Sequence, residues 1–141
     1  GFWSPETAAA WAAKPPGLEA DLFARGIHPA AGERMAREQP ELHFLYRGID
    51  ALAEGLDKDA LRRQLGELWT ITPADVAALD LPVLCIAGEE DIVIPPAAVA
   101  AFARALPRGE FVTVPAAGHS VYFERAAAFN TLVRDFLRRT T

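Results

Sequence analysis

The sequence predicts an α/β chain in which a helical region is followed by a β-α-β-α unit of a parallel sheet. Three observations carry this reading. Val83–Ala87 is an unbroken apolar run closed by Pro82 and Gly88, the pattern of a parallel strand covered on both faces. A second run, Phe111–Val114, follows after one helical stretch, which is the interval of a right-handed parallel crossover. Before residue 80 apolar side chains recur at helical spacing, and no run reads as a strand. The chain therefore divides into residues 1–80, helices and connections, and residues 81–141, strand, helix, strand and helix.

Each element has a local cause. Thr7–Ala13 is alanine-rich and stops at the breaker Lys14-Pro15-Pro16-Gly17. Leu18–Arg25 forms about two turns closed by Gly26, and Pro29–Arg37 reads as a further helix. Leu42, Leu45, Ile49 and Leu52 share one face of a helix over 41–53, and Leu61, Leu65 and Leu68 do so over 57–69. Thr72-Pro73-Ala74-Asp75 is a helix start: Thr72 caps, Pro73 suits the first helical position, and Asp75 stands three residues after the cap. Pro95-Pro96 opens the crossover helix, whose stripe is Val99, Phe102, Ala103 and Leu106. Pro107-Arg108-Gly109 ends it. The last helix carries Phe129, Leu132, Val133, Phe136 and Leu137 on one face.

At 141 residues the chain is one domain's worth, and 51% hydrophobic residues support a packed core. A net charge of −5 without a basic stripe argues against nucleic acid as a partner. The single Cys85 sits within the first strand and demands no oxidising compartment, so a cytoplasmic location is expected. No apolar stretch reaches the roughly 18 residues of a membrane span, so no membrane is expected as a partner either. No signal peptide is visible, and a start at Gly1 rather than Met leads to the expectation of a processed product or a fragment. No Cys or His pair has ligand spacing and no glycine-rich phosphate loop occurs, so neither a metal nor a cofactor is expected. A two-stranded parallel unit leaves strand edges that need neighbours, which predicts partner strands from outside these residues.

Asp91 follows the first strand in Gly88-Glu89-Glu90-Asp91-Ile92-Val93-Ile94-Pro95, and His119 follows the second in Gly118-His119-Ser120. Ligands of open parallel sheets bind at the carboxyl ends of strands, and neighbouring strands would bring this pair together. A carboxylate on one ring nitrogen fixes the tautomer of an imidazole and stabilises its cation once the other nitrogen takes a proton. Gly118 is expected to allow an unusual backbone conformation at that turn.

Residues 81–137 resemble the C-terminal part of the α/β-hydrolase fold family. The matching text is Leu81–Asp91 and Pro95, then Val112–Pro115, Gly118-His119-Ser120, Phe123-Glu124 and Phe129-Asn130. The resemblance implies that Asp91 is the acid and His119 the base of a catalytic triad. It also implies that residues 1–80 are the helical cap, or lid, that many members insert before their last two strands. Trp11, Phe23, Phe44, Tyr46 and Trp69 are then candidates to line a substrate pocket, or to pack between cap and sheet. The family's nucleophile elbow, commonly G-x-S-x-G, has no counterpart here: Ser4 lies in a Trp-Ser-Pro turn and Ser120 adjoins the base. The elbow, the oxyanion donors and the remaining strands are expected upstream of Gly1.

Three functional expectations follow. In the first, the complete protein hydrolyses an ester, lactone, amide or similar bond of a small molecule by Ser–His–Asp chemistry, this chain supplying acid and base. In the second it is an epoxide hydrolase or haloalkane dehalogenase of the same fold with an Asp nucleophile, for which the cap offers only Tyr46 as acid help. In the third it is a non-catalytic half-domain or binding protein that completes its sheet with a second copy of itself.

Overall fold

The computed structural model describes residues 4–53, 55–68 and 70–141. Among the described residues six helices lie before residue 80: α1 (Pro5–Ala12), α2 (Leu18–Ala24), α3 (Gly32–Glu38), α4 (Pro40–Ala51), α5 (Lys58–Glu67) and α6 (Pro73–Ala77). Helix α1 starts two residues earlier than its alanine run because the Ser4 hydroxyl accepts from Thr7 N at 3.1 Å and Pro5 occupies the first helical position. Helix α2 closes in a Schellman motif: Gly26 N donates to Phe23 O at 3.0 Å and Ile27 N to Leu22 O at 2.8 Å, with Gly26 at φ 73°. The helix expected over Pro29–Arg37 begins later, as α3. The amides of Ala31 and Gly32 both bond to His28 O, so residues 28–31 form a tight turn, and the helix starts only at Gly32, which takes φ 75° at the junction. At α6 the expected cap forms in full: Thr72 Oγ1 accepts from Asp75 N at 3.2 Å, and Asp75 Oδ2 accepts from Thr72 N at 2.8 Å.

Helices α4 and α5 form where the leucine spacing places them, but their apolar stripes remain uncovered. Leu45, Ile49 and Leu52 are 51%, 52% and 85% exposed, and Leu68 is 73% exposed. Amphipathic spacing accounts for the helices, while burial of the stripe, which is what stabilises helices in proteins, is not supplied by the described residues.

The second half contains β1 (Val83–Gly88), α7 (Pro96–Ala105), β2 (Gly109–Val114), α8 (Val121–Glu124) and α9 (Ala126–Thr140). The strands pair in parallel, with Val83 opposite Gly109 and Gly88 opposite Val114. Strand β2 starts two residues before its apolar run, since Gly109 slips beneath the end of α7: a Cβ there would meet Ala103 O at 2.1 Å. Alternation of side chains across the strands builds two small cores. On one face Cys85, Ala103 and Leu106 are buried, with Val76, Val83, Val99, Phe102 and Phe111 packed around them. On the other, Val114, Ala117 and Val121 are buried against Ile86, Phe129 and Leu132. Burial pushes the Cys85 thiol above its ordinary pKa, in keeping with a packing role. Helix α1 lies along α7 on the first face. No helix among the described residues is long and apolar enough to cross a membrane.

Candidate active site

The carboxyl ends of both strands converge on one small region. Past β1 the chain turns tightly, and the turn is bonded to the strand beside it: Glu89 N donates to Val114 O and Glu90 N to Ala117 O, each at 2.9 Å. This fastens the turn that carries Asp91 to the turn that carries His119. The two backbones nearly touch at Gly88, where a Cβ would lie 2.0 Å from Gly118 O and 2.3 Å from Ala117 O.

Asp91 is 8% exposed, and both its oxygens are engaged. Oδ1 accepts from Val93 N at 2.8 Å and from Ile94 N at 2.9 Å, an Asx-type turn that fixes the side chain. Oδ2 lies 2.9 Å from His119 Nδ1. With Nδ1 committed to the carboxylate, Nε2 is the nitrogen left to exchange a proton, and the His119 side chain keeps 34% of its exposure. An imidazole so held can accept a proton at Nε2 while the buried carboxylate steadies the resulting cation.

The His119 turn is held on both sides. Gly118 N donates to both carboxylate oxygens of Glu124 at 3.0 Å. Ser120 N donates to Ala30 O at 3.2 Å, and the Ser120 and Tyr46 hydroxyls are 2.8 Å apart. Gly118, expected to allow an unusual backbone conformation, is not among the residues with positive φ. A positive φ falls instead to Ala116, at 53°. Glycine serves at 118 for room, because a Cβ would come within 3.0 Å of Glu124 Oε1.

The helical region also reaches the turn that carries Asp91. Arg34 Nε lies 2.9 Å from both carboxylate oxygens of Glu90, and Lys14 Nζ lies 3.4 Å from Val93 O. The Arg34 guanidinium holds the Glu90 carboxyl below its ordinary pKa, although as a surface pair it adds little stability. Within the helical region His28 and His43 both act as acceptors. Ala30 N donates to His28 Nδ1 at 3.1 Å, and His28 N to His43 Nε2 at 3.2 Å. Both rings are therefore neutral, and burial pushes both pKa values down.

The aromatic candidates fall in different places. Trp11 lines a hollow with Lys14 and Leu18, two residues that also border the cavity of about 350 Å³ beside Asp91. Phe23 packs edge-on against His28, with ring centres 5.5 Å apart, at another cavity with Arg47 and Asp50. Phe44 is 80% exposed. Tyr46 is half-buried between His28 and Phe123, with its hydroxyl on Ser120. Trp69 lies outside the described residues. The structure thus brings Asp91 and His119 together and ties Tyr46 to the neighbour of His119, but does not gather the aromatic side chains around the pair. Among the described residues no group of three or more His, Cys, Asp or Glu side chains is placed to hold a metal ion. Glu124 stood in the sequence only as part of a matching string, since its bond to Gly118 depends on the fold of α8, which no periodicity announces.

A family model described as TAP-like protein, of the α/β-hydrolase type, matches residues 66–141. A Mycobacterium tuberculosis protein named as a non-heme bromoperoxidase, BpoC, is 44% identical over 55 residues, which are 39% of this chain and 21% of that one. The crystal structure of BpoC superposes with a TM-score of 0.63 at 24% identity, covering all of this chain and 55% of its own, a likeness of fold. A thermophilic esterase from Thermogutta terrifontis superposes at 0.59 with 26% identity, over 97% of this chain and 52% of the esterase. Est816, described as an N-acyl homoserine lactone degrading enzyme, superposes at 0.64 with 26% identity, over 94% and 51%. The chain thus spans about half the length of these solved structures. With its parallel strands, crossover helix and helical N-terminal half in the same arrangement, the chain belongs to the TAP-like family of α/β hydrolases and corresponds to the C-terminal part of that fold.

Proposed function

We propose that this chain supplies the acid and the base of a Ser–His–Asp hydrolase that cleaves ester or lactone bonds of small molecules. The observation that carries the reading is the 2.9 Å contact of His119 Nδ1 with an Asp91 carboxylate whose other oxygen is held by two backbone amides. His119 is the general base that takes the proton of the nucleophile at Nε2 and then activates water. Asp91 orients His119 and stabilises its cation. The esterase and lactone-degrading neighbours, each 26% identical, support this bond type. The Tyr46 hydroxyl, which an epoxide-opening version would need as acid, is committed to Ser120, and this favours the serine-type reading.

The nucleophile elbow, its oxyanion donors and the remaining strands come from an N-terminal portion of the same fold, with residues 1–80 as the cap. The two-stranded sheet and the exposed leucine stripe of α4 support this division of labour. The test uses the full-length protein containing this chain, with a serine-reactive fluorophosphonate and with p-nitrophenyl acetate and an acyl homoserine lactone as substrates. Labelling and turnover are expected. His119→Ala should lower kcat by about 10⁴-fold or more and Asp91→Asn by about 10⁴-fold, because the triad works as a unit. Hydrolysis surviving His119→Ala overturns the assignment.

A further inference from the structure

We propose that Glu124 is a positioning residue that holds His119 on Asp91 by gripping the amide of Gly118. The proposal deepens the reading of His119 as the base and rests on it. Three observations support it. First, Glu124 is 5% exposed, and both its oxygens lie 3.0 Å from Gly118 N. A carboxylate is seldom buried without a specific partner, and here the partner is the peptide that leads into His119. Second, the grip reaches the acid as well. Ala117 O, the carbonyl of the peptide group whose N–H Glu124 holds, accepts the amide of Glu90, the residue before Asp91. Displacement of that one peptide plane therefore moves both partners of the 2.9 Å contact. Third, the site is shaped for the carboxylate: glycine at 118 leaves the room Glu124 occupies, since even a Cβ would crowd its Oε1 at 3.0 Å.

Glu124 makes no hydrogen bond or ion pair with His119 and takes no part in proton transfer. It acts through Gly118, with the Ser120 amide on Ala30 O holding the other side of the turn. Burial raises the Glu124 carboxyl above its ordinary pKa, and the Gly118 amide and Arg125 pull it back down. Its role needs an acceptor oxygen at one point in space, so Gln, of equal length, preserves the grip, whereas Ala removes it and Asp falls short by one methylene.

The test reads the imidazole directly by NMR on the full-length protein containing this chain, through the low-field proton of His119 Nδ1–H on Asp91 and its exchange with water. Far-UV circular dichroism reports folding of each variant. In folded Glu124→Ala the proton is expected to exchange at least about tenfold faster, or to broaden away, because the turn opens locally. Glu124→Gln is expected to restore it. Should Glu124→Ala fail to fold, Glu124→Asp carries the test and must show the same loss. A native His119 resonance and exchange rate in folded Glu124→Ala or Glu124→Asp overturns the proposal, and so does failure of Glu124→Gln to restore them. Since no substrate is involved, this outcome is separate from whether the full-length protein hydrolyses esters or lactones.

Discussion

Replacing Gly88 by alanine should disturb His119 without touching it. The added methyl would sit 2.0 Å from Gly118 O, 2.3 Å from Ala117 O and 2.7 Å from Ala117 C. All three are backbone atoms, so no side-chain rotation relieves the contact. Real Cβ atoms essentially never approach closer than 3.0 Å, so Gly118 O must retreat by about 1 Å. The retreat is opposed by Glu124 on one side and by the Ser120–Ala30 bond on the other. Overpacking of this kind costs about 1–3 kcal/mol, and clashes with two carbonyls place Gly88→Ala near 3. If His119 follows its peptide, the 2.9 Å contact with Asp91 opens to about 4 Å, beyond hydrogen-bond range. A misplacement of about 1 Å lowers a catalysed rate by about 10²-fold. Gly48 provides the internal control: it lies within α4, where a Cβ meets nothing within 4 Å, so Gly48→Ala should be neutral or stabilise by about 0.5–1 kcal/mol. Urea unfolding of the two variants measures the energies, and the low-field His119 resonance reports the contact. A Gly88→Ala protein within about 0.5 kcal/mol of the parent, with that resonance intact, would show that the crossing of the two turns does not constrain His119.

Two further outcomes follow from burial. His28 and His43 have folded pKa values below the ordinary 6.5, so between those values and 6.5 the unfolded chain binds more protons. Their contribution to stability is therefore complete above 6.5 and is lost as pH falls through the lowered values, where protonation also breaks their acceptor bonds to Ala30 N and His28 N. Thermal melts from about pH 8 to about pH 5 should show this decline, and His28→Asn with His43→Gln should flatten it; an equally steep decline in the double variant contradicts the account. Leu106 is 7% exposed in the cluster with Cys85 and Ala103, so Leu106→Ala should cost about 2–5 kcal/mol, whereas Leu52→Ala, at a position 85% exposed, should change the stability of this chain by less than about 0.5 kcal/mol. Equal losses at the two positions, measured by denaturant unfolding, would mean the cores are wrongly drawn.

What could be read from the sequence depended on how local its cause is. Strand β1 was legible because Pro82 and Gly88 bound an apolar run, and the α6 cap because Thr72 and Asp75 complete it within four residues. The approach of Asp91 to His119 was legible too, since strand ends two turns apart meet whenever their strands pair in parallel. The start of β2 was not, because Gly109 is set by its passage under Ala103 O. The demand for space at Gly118, beside a carboxylate six residues on, was not legible for the same reason. Tyr46, a candidate to line a pocket or to pack between cap and sheet, borders a hollow with Ile49 and Phe123, but no pattern in α4 shows that its hydroxyl meets Ser120, 74 residues away. The exposed stripes of α4 and α5 follow correct periodicity, but periodicity does not say which surface, on which segment, covers them.

The bonds that Ala30 and Tyr46 make to Ser120 bear on how this half of the fold can be recombined. A chimaera that takes all its helices from a relative and joins them near residue 80 would inherit foreign partners for Ser120, the residue beside His119, however well its own helices packed. A junction between α4 and α5 leaves residues 30 and 46 with the turn they hold and frees the later helices for exchange. Drift at position 46 alone, by contrast, would be felt at position 120, so the two positions are expected to change together across related sequences.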